Sequence, residues 1–324
     1  MAMNSGLGTD PALNSGGLQQ NPAAPEGEAD EQPDTRRLSR GRIVLRRFRR
    51  NRTAVVGLIG YLLLVLVALG APLVLPYGYR EVDQTAFLQP PGGDHLLGTT
   101  QAGRDVLALT VEGLRKSMMI GLGVALLQTV IAATVGAFAA YFSGWFERVA
   151  LWVIDLLLVV PNVLVIAIIM TTWGSGSSGS VLTLIILLSV LGWMLSARVV
   201  RSMTLGVKNL EYVTAARYMG VSGPRIVFRH LLPNISSLLI IDATLAVAAA
   251  VLGETTLSFF GFGVQAPETS LGTLMSEGQR MAATYPWIFL APATALTLML
   301  VFINFVGDGL RDALDPSSKS GGQA

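Results

Sequence analysis

The chain has 324 residues, of which 52% are hydrophobic and only 14% charged, with a formal net charge of +2 and no cysteine. A soluble protein carries roughly 25% charged residues, so an ordinary soluble domain is excluded. The missing cysteine excludes a disulfide framework, a thiolate nucleophile and a Cys-based metal site.

Residues 1–35 are rich in Gly, Pro, Asn, Ala and acidic side chains and show no apolar core of a secretory signal. They read as a disordered tail, because such a composition buries too little apolar surface to offset chain entropy. Residues 36–53 form a basic juxtamembrane segment with nine arginines. Six apolar stretches follow, at 54–75, 117–141, 149–172, 181–200, 235–258 and 287–306. Each is close to the ~20 residues that a helix needs to cross about 30 Å of hydrocarbon. The expected fold class is an all-α polytopic membrane protein with a six-helix domain over 54–306 and a C-terminal tail over 307–324.

Lys and Arg set the orientation. With the basic segment inside, 18 of the 23 basic residues fall on the inner side, and Arg80, Arg104, Arg115, Lys116 and Arg280 remain outside. Both termini are then cytoplasmic. The outer connection 76–116 is broken at Pro90, Pro91, Gly92 and Gly93. Within it, 103–116 reads as an amphipathic helix lying on the outer surface through Val106, Leu109 and Leu114. Residues 174–180 read as a Gly/Ser spacer.

Ionisable residues at membrane depth are functional candidates by default. Asp155, followed by Pro161 and Asn162, is a candidate for a pathway across the membrane. A structural partner for another polar group is the competing reading. Glu254, near the outer end of the fifth span, reads as a pathway, gate or structural residue; Asp242 is given no role. Arg104 and Asp105 are candidates for contact with an external protein or for local folding of the loop. Ala132, Gly136 and Ala140, four residues apart, fit close helix packing. The two histidines, His95 outside and His230 inside, cannot share a metal ion.

The cytoplasmic loop 201–234 is the most informative segment. A short helix is expected over 209–219, with Gly220 as a left-handed cap. A second begins at Ser222, with Pro224 near its first position, where a missing N–H costs nothing. Pro233 marks the return into the membrane. Two helices this short cannot build a core of their own and must dock, on their own spans or on a partner. Tyr212, Ala215, Ala216 and Met219 form one stripe of the first helix. Arg217, Arg225, Arg229 and His230 add positive charge, which by itself fits anionic lipid headgroups as well as a partner protein.

The stretch Glu211-Tyr-Val-Thr-Ala-Ala-Arg-Tyr-Met-Gly220, followed by Arg229-His-Leu-Leu-Pro-Asn234, resembles the EAA loop of ABC importer permeases. Ala215, Ala216, Gly220, Leu232 and Pro233 stand in matching places, and Thr214 replaces the motif's Glu. The similarity extends to Arg46-Arg-Phe-Arg-Arg-Asn51, to His95-Leu-Leu-Gly-Thr-Thr-Gln-Ala-Gly-Arg-Asp-Val106, to Gly253-Glu-Thr-Thr-Leu-Ser-Phe-Phe-Gly-Phe-Gly-Val264 and to Asn304-Phe-Val-Gly-Asp-Gly-Leu-Arg-Asp-Ala-Leu-Asp-Pro316. These resemble the C-type permease subunit of the dipeptide/oligopeptide and nickel transport family.

This resemblance implies a type I ABC importer permease fold in a bacterial inner membrane. It implies a heterodimer with a second, related permease, two ABC ATPase subunits, an extracytoplasmic substrate-binding protein and surrounding lipid, with no nucleic acid. Glu211, Tyr212, Thr214, Ala215, Ala216, Arg217, Met219, Gly220, Arg229, His230 and Pro233 would couple to an ATPase subunit, whose ATP and Mg²⁺ this chain would not itself bind. The chain has no phosphate-binding loop of the Gly-x-x-x-x-Gly-Lys-[Ser/Thr] type, so it is expected to be a non-catalytic transport subunit. Di- or oligopeptides are the implied substrates; nickel complexes, glutathione or another small solute are the alternative within the group. A proton-coupled secondary transporter using Asp155 and Glu254 is the alternative from a different class. A membrane-embedded enzyme has no Ser/His/Asp grouping or ligand cluster to support it.

Overall fold

The computed structural model describes residues 40–173 and 180–314. The expected tail 1–35, all but the last residue of the spacer 174–180, and residues 315–324 lie outside the described residues. Among the described residues every regular element is a helix, apart from two isolated bridges at Gly92–His95 and Thr99–Asp105.

The basic segment is itself helical, as α1 (Arg40–Arg50), with Phe48 packed against Ala54 and Ala313. Asn51 then caps α2 (Arg52–Val74) by accepting the Ala54 N–H at 3.3 Å. Leu62, Leu66, Leu69 and Leu73 are exposed on α2, which suits a helix whose outer face meets lipid tails.

The next helix departs from expectation. Residues 103–116 are not a separate surface helix. They belong mostly to α3 (Val106–Phe142), 37 residues long, in which Val106, Leu109 and Leu114 are buried. Asp105 starts it by accepting the Ala108 N–H at 2.8 Å, and no Pro interrupts the good helix formers between Leu114 and Ile120.

The third and fourth spans are bent rather than straight. α4 (Gly144–Val159) meets α5 (Asn162–Trp173) at 73°. Pro161 offers no N–H and pushes Val160 into extended geometry. α6 (Ser180–Gly192) meets α7 (Met194–Val207) at 47°, with Trp193 at the junction. Four helical runs are long and apolar enough to cross a membrane, and the two bent pairs raise this to six if each is one span. The expected all-helical class therefore stands, with six spans if each bent pair crosses once.

α8 (Glu211–Tyr218) is the first loop helix, closed by Gly220 at φ +77. The second is not independent. α9 (Gly223–Ile226), a π-helical turn (Val227–Leu231) and α10 (Leu232–Phe259) form one 37-residue run. Pro233, expected to mark the return into the membrane, lies inside this run without ending it. Its ring crowds the Arg229 carbonyl and cannot donate to it, and the extra residue of the preceding π turn lets the backbone continue. α11 (Leu271–Gln279), absent from the sequence reading, begins with a capping box between Ser270 and Thr273. α12 (Pro286–Leu314) completes the bundle and extends eight residues into the expected tail.

α3 is the central post, packing on α7, α10, α2 and α12. Ala132, Gly136 and Ala140 are all buried on it. A Cβ at Gly136 would lie 2.5 Å from the Ala197 carbonyl oxygen and 2.9 Å from Val200 Cβ, so α3 and α7 touch through backbone. Gly136→Ile is expected to wedge them apart at a cost of about 3 kcal/mol or more. The check is the amount of folded protein recovered in the membrane; recovery equal to that of the unaltered chain would contradict the close approach.

Candidate functional site

The helix pair 211–231 sits at one end of the bundle and is held there by a core of its own. Val213 and Ala216 of α8 join Ile226, Val227, Leu231 and Ile235 from the long run. These pack against Ala137 of α3 and Val200 of α7. Arg217 lies over the Tyr141 ring, 5.4 Å from its centre. Lys208 fastens the end of α3 by donating to the Ala140 carbonyl at 3.0 Å and to Ser143 Oγ at 2.8 Å. The pair thus docks on its own spans and leaves its other face open.

That geometry divides the expected stripe. Ala216, expected to face a partner, is only 2% exposed and belongs to the inner face. The reason is phase: Val213 is the residue that turns inward, and Ala216 follows it one turn later. Ala215, Met219 at 76% and Tyr218 at 87% face outward. Glu211 and Arg217 are also exposed, and Thr214 is half-buried. Tyr212 is partly exposed and its hydroxyl accepts from Asn234 Nδ2, with the His230 ring beside it. Arg229, Pro233 and Phe228 are exposed along the long run. Tyr218 and Phe228 were not singled out by the sequence, although Tyr218 lies at i+3 from Ala215.

The charged residues of the spans go to different places. Asp155 pairs with Arg198, and Glu147 with Arg201, whose Nε donates at 2.6 Å, so two ion pairs join α4 to α7. Asp155 is therefore matched by an internal partner. Asn162 Nδ2 donates to the Leu191 carbonyl at 2.7 Å, tying the break in span three to the end of α6.

Glu254, read as a pathway, gate or structural residue, is 0% exposed and is a junction between helices. Ser258 Oγ donates to it at 2.6 Å and Ser117 Oγ at 3.0 Å. Those hydroxyls in turn accept the Val264 N–H at 3.1 Å and the Leu271 N–H at 3.3 Å. One carboxyl thus links α3, α10, the following turn and the start of α11.

At the opposite end from the helix pair, Asp105 is also buried and is not available to an external protein. It caps α3 and holds His95 Nδ1 at 2.8 Å. The other ring nitrogen faces Asp83 at 3.6 Å, and Tyr77 stacks on the ring at 4.5 Å. Hydrogen bonds from Thr85 hold the Asp83 carboxyl below its ordinary range, with His95 adding to the effect. Arg104 is exposed and lines a cavity of about 640 Å³ with Tyr79, Arg80, Glu268 and Glu277. Glu268 is paired with Lys116 at 2.5 Å. Desolvation raises the Glu277 carboxyl, with Arg104 and Arg280 opposing the shift.

Residues 132–320 match the family described as binding-protein-dependent transport system inner membrane component. Residues 39–91 match the N-terminal TM domain of oligopeptide transport permease C. The chain is 53% identical over 282 residues to a protein of Mycobacterium tuberculosis (strain ATCC 25618 / H37Rv) named oligopeptide transport system permease protein OppC, covering 87% of this chain and 96% of that one. The Mycobacterium bovis protein of the same name gives the same values. That of Bacillus subtilis (strain 168) is 36% identical over 295 residues, covering 91% and 95%.

Proposed function

The chain belongs to the family of binding-protein-dependent transport system inner membrane components, and from that membership we propose that it is the C-type permease subunit of an ATP-driven importer of di- or oligopeptides. It forms half of the translocation pathway beside a second, related permease. An external binding protein delivers the substrate, and two ATPase subunits on the other side bind and hydrolyse ATP with Mg²⁺. The chain itself catalyses nothing and holds no cofactor. It lies in a bacterial inner membrane with both termini in the cytoplasm, in line with the excess of Lys and Arg on that side.

The observation that carries this reading is the open face of α8. A short helix is fixed to the spans by Val213 and Ala216 while presenting Ala215, Tyr218 and Met219 to whatever lies below. Small and aromatic residues together suit a groove in a partner, because the alanine admits close approach and the larger residues anchor it. Closure of the ATPase pair then moves the hairpin, and with it α10, between two discrete arrangements.

The test is reconstitution. Peptide uptake into vesicles is expected only with the second permease, the ATPase subunits, the binding protein and ATP together. Uptake by this chain alone, driven by a proton gradient, would contradict the proposal.

A further inference from the structure

One cavity at mid-span, apolar over most of its wall, plays no part in the helix ties. It holds about 360 Å³ between α3, the α6–α7 break and α10, within the range of small-ligand sites, about 300–1,000 Å³. Val124, Gly192 and Ala246 supply apolar wall, and Gln128, Ser196 and Asp242 supply the polar groups. Leu195 and Leu245, both exposed, form its open rim. Gly192 leaves room for the amide: a Cβ there would lie 3.0 Å from Gln128 Oε1.

Asp242 differs from the other acidic residues of the spans. Glu147 and Asp155 have arginine partners, and Glu254 has serine hydroxyls. Asp242 Oδ2 is enclosed and has no hydrogen-bond partner among the described residues, and no Lys or Arg lines its cavity. A carboxylate without a counter-charge at this depth is unfavourable. A cation brought by the cargo removes that cost while it is bound.

The geometry points to Asp242 as the recognition site for a primary ammonium group of the transported peptide, with Gln128 and Ser196 accepting its remaining hydrogens. This rests on the reading of the chain as half of a peptide pathway. An ammonium is compact and has three donors and no acceptor. The cavity offers it three acceptors of different kinds: a carboxylate, an amide carbonyl and a hydroxyl. Every unblocked peptide carries this group at its amino terminus whatever its side chains, so a site reading it tolerates variable sequences. A lysine side chain presents the same chemistry.

The experiment uses the whole reconstituted importer with trialanine, Nα-acetyl-trialanine and an Nα-acetylated tripeptide containing one lysine. Loading of each onto the binding protein is measured separately, and uptake rates are compared at matched loading. The intact complex is expected to carry trialanine about tenfold faster than its acetylated form. Asp242→Asn is expected to bring the two rates together at the lower value, with Asp242→Glu falling between. A lysine peptide carried at the free-amine rate, and slowed by Asp242→Asn, supports the same site with the side chain as its source. An intact complex without preference, or an assembled Asn or Glu variant that keeps the full preference, overturns the inference. Failure of the intact complex to take up any peptide overturns the importer reading instead.

Discussion

Ala215→Glu should reduce uptake by the assembled importer about a hundredfold while leaving the amount of protein in the membrane unchanged. Ala216→Glu, one residue on, should deplete the protein itself. Ala215 is exposed on α8, so the chain tolerates a carboxylate there, but the partner groove that the proposed coupling requires would not. Loss of a central contact of this kind is worth about 2–3 kcal/mol, or roughly a hundredfold. Ala216 is packed among Val213, Ile226 and Leu231. A charge placed there is buried without a counter-ion, at about 3–5 kcal/mol. Immunodetection in membranes together with ATP-driven uptake separates the two effects. The assignment of faces fails if the two variants behave alike, or if Ala215→Glu transports normally.

Glu254→Leu should lower stability by about 2–5 kcal/mol, because the Ser117 and Ser258 hydroxyls lose a shared acceptor in a dry interior. Glu254→Gln keeps an acceptor oxygen and should lose about half as much. The damage is expected to be local before it is global. The Val264 and Leu271 amides donate to those same hydroxyls, so their hydrogen exchange should accelerate before that of the mid-span helix bonds. A leucine variant with unchanged melting and unchanged exchange at Val264 and Leu271 would show that the carboxyl is not the junction.

The membrane class and most of the spans were legible because lipid demands long apolar runs, and those are read directly from composition. What escaped was continuity. Nothing in the apolar pattern distinguishes a loop helix that stops at Lys116 from one that runs on as α3, since the charges at Arg115 and Lys116 suggest a boundary while the backbone needs none. Pro161 and Pro233 look alike in sequence, yet one breaks its helix and the other is absorbed by a π turn. Tertiary packing decides between them. α11 escaped because it is only nine residues long, and its cap uses Thr273 where the commoner signal is Glu or Gln.

The candidate loop helix was legible as a segment, and its outward face was misread in phase. Tyr212, Val213, Ala215, Ala216, Tyr218 and Met219 make nearly every side of α8 apolar or small, so its periodicity admits two stripes one residue apart. Contact with Val200 and Ile226 selects the one containing Val213 and Ala216. Asp155 and Glu254 were visible as ionisable residues at depth, but their partners, Arg198 and Ser117, are distant in sequence. Only the folded chain reveals that those charges are already satisfied and that Asp242 is not.

The run Gly223–Phe259 is a long crankshaft with α8 packed against its near end. At 1.5 Å per residue its 37 residues reach roughly 55 Å, so a tilt of about 5° around the midpoint would swing each tip by about 2.4 Å in opposite directions. Under the proposed coupling, a push arriving beneath Gly223 would be delivered, reversed, to the turn after Phe259, with no relay of intermediate side chains required.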